Sequence, residues 1–130
     1  MLDMNTQSIY DSIGGAQTIR KLVETFYPKV QAHPELSKIF PEDIHPVKEK
    51  QFMFLSQFFG GPALYSEAFG HPMMRARHSP FPITPARARD WLGCMGEALQ
   101  EIGLTPEQQS FVLDRLKGPA FHFVNQPDQE

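Results

Sequence analysis

The sequence predicts an all-α protein, and three observations carry the prediction. No stretch alternates β-branched with polar residues, apolar residues recur at i, i+3 and i+4 in several segments, and glycine and proline pairs separate those segments. A chain of 130 residues has the length of one domain with a real core and is too short for two. We therefore read 1–130 as a single domain whose ordered core covers about residues 8–126.

Ser8 is placed to cap a short helix through Ile9, Tyr10 and Ile13 that stops at Gly14-Gly15. From Ala16 a second helix carries Ile19, Leu22, Val23, Phe26 and Val30 on one face, with Tyr27 at its border. Pro28 removes a backbone donor and crowds the carbonyl of Glu24, so the expectation is a kink or a local widening rather than an end. His33-Pro34 closes this helix, and Glu35 to Phe40 reads as a short helical turn before Pro41. Pro46 suits a first helical position. The third helix is expected from there to Phe59, with Val47, Gln51, Phe54, Leu55 and Phe58 facing inward, and Gly60-Gly61-Pro62 ends it.

Residues 62–84 are broken by proline and glycine and show no long helix, and a loop of that length is usually functional. The fourth helix begins with Thr84 as cap and Pro85 next, and its stripe is Ala88, Trp91, Leu92, Met95, Leu99 and Ile102 up to a stop at Gly103. Thr105-Pro106-Glu107-Gln108 has the form of a capping box. A fifth helix then carries Val112, Leu116, Ala120, Phe123 and Val124, with a bend expected at Gly118-Pro119.

Composition excludes several function classes. A net charge of -3 gives no electrostatic case for nucleic acid, whose backbone rewards basic patches. The single Cys94 excludes an internal disulfide and a cysteine zinc cluster, and it fits a reducing compartment. No secretory signal opens the chain and no eighteen apolar residues run together, so the expectation is a cytoplasmic protein without a membrane span. Eleven Phe and six Met suit an irregular apolar cavity, because Met adapts its shape and Phe supplies flat walls; a merely Phe-rich core accounts for them equally well.

Five histidines are the candidate ligands. His33 and His122 read as surface residues, and His45, before Pro46, as a loop residue. His71 and His78 share the long loop, but seven residues apart and without a carboxylate between them they do not match a zinc spacing. A solitary loop histidine is ordinarily solvent-exposed. Against that, His78 lies between Met74 and Phe81-Pro82-Ile83, neighbours that favour burial, and a buried neutral imidazole is a common iron ligand. Arg75 and Arg77 read either as surface charge or as anchors for an apolar cofactor bearing carboxylates. Gln51 is the polar member of an apolar stripe and needs a hydrogen-bond partner, or costs about 1–3 kcal/mol. No phosphate loop or G-x-S-x-G motif is present, and Cys94 beside Trp91 and Met95 reads as a packed, inert thiol.

Taken in order, a set of motifs resembles one known family. They are Gly14-Gly15, Phe26-Tyr27, His33-Pro34, Ile39-Phe40-Pro41, Gln57-Phe58-Phe59-Gly60-Gly61-Pro62, Leu64-Tyr65, Gly70-His71-Pro72, Arg75-Ala76-Arg77-His78, Pro82-Ile83-Thr84 and the Trp91 helix. From about Ser8 to Gln126 the chain resembles the truncated haemoglobins, specifically their second group. The resemblance implies a shortened globin fold, in which two antiparallel helix pairs (two-on-two) sandwich one haem b. It implies that His78 is the proximal iron ligand, and that Tyr27, Gln51 and Trp91 lie on the opposite, ligand-binding side. Phe40, Val47, Phe54 and Met74 would border the haem, with Val47 at the distal gate, and Lys50, Tyr65 and Arg77 match partners of the haem carboxylates.

A phenol, an indole and an amide are the donors that would stabilise partial negative charge on the outer atom of bound oxygen. Reversible binding of oxygen and other diatomic gases, for transport or sensing, is thus the expected function. A haem enzyme acting on nitric oxide or peroxide with an external reductase is the alternative, and a haem-free helical interaction domain is the third reading. The expected assembly is a monomer or a homodimer.

Overall fold

In the computed structural model, which describes residues 8–70, 83–122, 124, 125 and 127, Ser8 opens the first helix as the sequence predicts. Its hydroxyl accepts from the Asp11 amide at 3.1 Å and starts α1 (Ile9–Ser12). The chain then turns through Gly14 and Gly15 at φ of 112° and 70°, backbone that glycine adopts without strain. In α2 (Ala16–Ala32) the residues Ile19, Leu22, Val23, Phe26 and Val30 are all buried. Tyr27 is buried with them rather than at the border. Pro28 does not end α2, because it lies on the exposed side, where water can satisfy the carbonyl it displaces.

His33 closes α2, and a 3-10 turn follows at Leu36–Ile39. His33 was expected at the surface. It is half-buried instead, because its Nδ1 accepts from the amides of Glu35 and Leu36 at 3.1 and 3.3 Å and starts that turn.

In α3 (His45–Phe58) Pro46 occupies the first turn. The inward stripe differs from expectation at its end: Phe58 is exposed, and Phe59 takes the buried place. The cause is the turn that follows. Gly61 donates to the Ser56 carbonyl at 2.8 Å, and Tyr10 to the Phe59 carbonyl at 2.9 Å, which pulls the chain back over α1. A Cβ on Gly61 would stand 2.7 Å from the Tyr10 ring and 2.8 Å from the Ser56 carbonyl oxygen. We therefore expect Gly61→Ala to destabilise the protein by about 1–3 kcal/mol, the range for forced overpacking. A urea midpoint equal to the parent's at the same slope would contradict this.

A short α4 (Leu64–Phe69) lies in the stretch expected to be a loop. Six residues are too few to display a helical period, and a tertiary clamp supports them. The Gln57 amide donates to the Ser66 hydroxyl at 2.7 Å, and the Ser66 amide donates back to the Gln57 carbonyl oxygen at 2.9 Å.

α5 (Pro85–Glu101) starts as expected, with the Thr84 hydroxyl accepting from Arg87 N at 3.1 Å. Cys94 and Ala98 join Ala88, Met95 and Leu99 in its buried face. α6 (Pro106–His122) opens with the reciprocal bonds of the capping box, Gln108 N to Thr105 Oγ1 at 3.1 Å and Thr105 N to Gln108 Oε1 at 2.9 Å. It runs on through Pro119.

These helices form two antiparallel pairs. Between α2 and α3, Arg20 meets Glu49 and Glu24 meets Lys48. Ile83 and Asn125 exchange bonds of 2.9 and 3.0 Å where α5 begins and α6 has ended, and Gly96 leaves room for Leu113 midway. The pairs cross where Phe26 meets Trp91, and Lys29 pairs with Glu101. Ile19, Leu22, Phe26, Leu55, Met95, Leu99 and Leu116 fill the space between them. Among the described residues the fold is two-on-two and all-helical, without strands, and no helix is long and apolar enough to cross a membrane.

Candidate functional site

An apolar cavity of about 220 Å³ opens between the two helix pairs. Protein interiors rarely hold voids larger than a water molecule. An apolar cleft with a few convergent polar groups is the usual form of a small-molecule site.

Six residues singled out from the sequence line it together: Tyr27 from α2, Phe40 after the 3-10 turn, Val47, Gln51 and Phe54 from α3, and Trp91 from α5. Lys50 and Tyr65 do not line it. The Lys50 ammonium lies 5.3 Å from the Phe69 ring, and the buried Tyr65 ring meets Phe54 edge-on at 6.0 Å, behind the cavity wall. His78, Arg77 and Met74 fall outside the described residues, as do His71 and Arg75. His45 is exposed, and His122 is exposed at the end of α6.

Besides Arg87, three hydrogen-bond donors line this largely apolar space. Tyr27 is only 2% exposed, and its ring is held edge-on by Phe26 at 4.9 Å and by Phe40 at 6.0 Å. Phe26 also meets Trp91 edge-on at 5.3 Å, so one buried ring orients both aromatic donors. Among the described residues, the Tyr27 hydroxyl, the Gln51 amide and the Trp91 indole N–H have no hydrogen-bond partner. A guest that brings an acceptor into their midst would pair with them, and the residues present fit an apolar cofactor.

Burial pushes the Tyr27 phenol well above the ordinary tyrosine range, so it remains a donor throughout the physiological pH range. In an unfolded chain the same group ionises near pH 10, about the free value. Above that pH the unfolded state binds fewer protons than the folded one, so stability is lost as pH rises. Unfolding midpoints between about pH 9 and 11 should fall less steeply for Tyr27→Phe than for the parent. Parallel curves would mean that Tyr27 ionises freely in the folded protein.

Arg87 also lines the cavity, and sequence reasoning missed it. Its guanidinium lies 3.4 Å from Glu35 at the start of the 3-10 turn. Lys38 first, and then Arg87, hold the Glu35 carboxyl below the usual carboxylate range. Cys94 is buried in the core next to the site, where burial pushes its thiol up, which agrees with a packed, inert thiol.

The profile of the bacterial-like globin family matches residues 8–125. A group 2 truncated haemoglobin of Bacillus subtilis (strain 168) is 49% identical over 121 residues, covering 93% of this chain and 91% of that protein. The crystal structure of the group II truncated haemoglobin of Bacillus anthracis superposes with a TM-score of 0.91 at 49% identity, covering 94% of this chain and 99% of that one. The structure of a truncated oxygen-avid haemoglobin from Bacillus subtilis gives a TM-score of 0.87 at 48% identity, covering 92% and 100%.

Proposed function

The chain belongs to the bacterial-like globins, as a group II truncated haemoglobin, and from that premise we propose that its pocket holds one haem b and binds oxygen reversibly. The observation that carries the reading is the set of three donors, Tyr27, Gln51 and Trp91, unpaired among the described residues on the wall of one apolar cavity. Haem, when bound, would supply an iron that binds a diatomic gas.

The roles of the chain's own residues follow from their chemistry. His78, outside the described residues, is the proximal ligand in this reading. Phe40, Val47 and Phe54 wall the cofactor, together with Met74, and keep bulk water from the gas site. Lys50, Tyr65 and Arg77 are the partners proposed for the haem carboxylates. Tyr27, Gln51 and Trp91 would donate to a gas bound there, and in a water-poor pocket each such bond would resist escape more than it would in solvent. Val47 carries no donor, and Phe40 has no hydroxyl to compete for Tyr27.

Spectra of the ferric, ferrous and oxygenated protein test the proposal. Protein produced with adequate haem and lacking a Soret band would be the helical interaction domain instead. A net hydrogen bond is worth roughly 1–1.5 kcal/mol, so Trp91→Phe should release oxygen about tenfold faster in stopped-flow displacement. An unchanged rate would take Trp91 out of the mechanism. The same donors would also help to polarise an O–O bond, which favours a second reading as a haem enzyme acting on nitric oxide or peroxide. A dedicated external reductase that sustains many turnovers would decide for it.

A further inference from the structure

The cavity has a seam, and two polar ties cross it. One wall is α5, which contributes Arg87, Ala88 and Trp91; the facing wall is the 3-10 turn and its sequel, with Leu36, Ile39, Phe40 and Pro41. Arg87 Nη2 reaches Glu35 Oε1 at 3.4 Å, and one turn further along α5 the Asp90 carboxylate lies 3.7 Å from His33 Nε2. His33 and Glu35 are the residues from which the turn starts, since the imidazole accepts the amides of Glu35 and Leu36. No backbone ladder joins α5 to this turn in an all-helical fold, which leaves side chains to hold the seam.

We propose that the Arg87–Glu35 pair is a latch across this seam, and that its opening sets how fast small gas molecules pass into and out of the pocket. The inference rests on the gas-binding reading of the cavity. Its magnitudes suit a latch better than a brace. The Arg87 side chain is 17% exposed and that of Glu35 49%, and a pair this exposed shifts an equilibrium by at most about fivefold. A contact of that strength opens and closes readily. Glu35 is not part of the cavity wall, whereas Arg87 is, so the two positions separate the latch from the lining.

A gate has a kinetic signature that a change in the lining lacks. It alters association and dissociation by the same factor and leaves the equilibrium affinity in place, because it acts on the passage and on neither end state. Ionic strength adds a second signature. Carbon monoxide is uncharged and is not steered by protein charges, so salt can change its association rate only by loosening charged contacts such as this pair.

The test is carbon monoxide association after flash photolysis of the haem-loaded protein, with dissociation measured by displacement. Glu35→Ala should speed both rates about two- to fivefold with the affinity unchanged. Arg87→Met, which also alters the cavity wall, should speed association by a similar factor, the double variant should associate no faster than Arg87→Met alone, and Arg87→Lys should stay near the parent. Raising the salt from about 0.05 to 1 M should speed association more in the parent than in Glu35→Ala, where only the His33–Asp90 tie is left to loosen. Lys38→Gln removes the other partner of Glu35 and leaves the latch, so its rates should match the parent's. In haem-free protein, amide exchange at Leu36–Ile39 should quicken in Glu35→Ala. Parent-like rates in Glu35→Ala, an altered affinity, additive effects in the double variant, or equal acceleration by Lys38→Gln would each overturn the latch. Protein that takes up no haem would overturn the gas-binding reading, and the latch with it, and the missing Soret band tells that failure from the others.

Discussion

His78→Ala is expected to lose haem retention while keeping its helices. Removing even an outer-shell partner of a metal ligand lowers affinity about 10–100-fold, so loss of the sole protein ligand should cost at least that much. Haem content after purification, read from the Soret band against protein absorbance, should fall at least about tenfold. The far-ultraviolet spectrum should remain helical, because the helices among the described residues are held together by the buried cluster around Ile19, Leu22 and Leu99. Imidazole added to the solution should restore part of the axial spectrum by occupying the vacated position. Haem content and an axial spectrum equal to the parent's would refute the assignment.

Phe26→Ala is expected to be the most damaging core substitution near the site. Phe26 is fully buried, and truncation of a buried phenylalanine costs about 3–5 kcal/mol. It also holds both Tyr27 and Trp91 edge-on, so its loss frees two donors at once. Oxygen release should then be faster than in Trp91→Phe. Since a domain of this kind has only about 5–15 kcal/mol in total, Phe26→Leu keeps the test in folded protein, with a milder loss of stability and the same loss of ring edges. Release at the parent's rate in Phe26→Leu would show that Tyr27 and Trp91 hold their places without it.

What could be read in advance was mostly what is local. Periodicity located α2, α5 and α6, and the side chains of Ser8, Thr84, Thr105 and Gln108 marked the starts of α1, α5 and α6 through hydrogen bonds within three residues. Gln51 drew attention because one polar residue in an apolar stripe must answer to something, and it lines the cavity. The misses are non-local. α4 depends on Gln57 bonding to Ser66, and the exchange of Phe58 for Phe59 depends on Gly61 folding back toward Tyr10. Tyr27 sits at the border of its helix's apolar face, and what buries it is Phe40, thirteen residues on and beyond the 3-10 turn, which comes over its ring. Arg87 looks like an ordinary helix charge until the 3-10 turn is brought against it, and nothing within its own helix signals that contact. The proximal side, with His78, Arg77 and Met74, still rests on motif resemblance.

The paired bonds between Ile83 and Asn125 also bear on the order in which the protein can be completed during its synthesis. The two residues are 42 apart in sequence, and at about 5–20 residues per second the ribosome needs about 2–8 s to travel from one to the other. Throughout that interval the start of α5 has no partner at Ile83, and Leu116, Pro119 and Ala120, which complete the cavity wall from α6, have yet to arrive. The distal donors on α2 and α3 are made first and wait. A cofactor captured before α6 docks would sit in an open trough, so its secure retention awaits the synthesis and docking of α6.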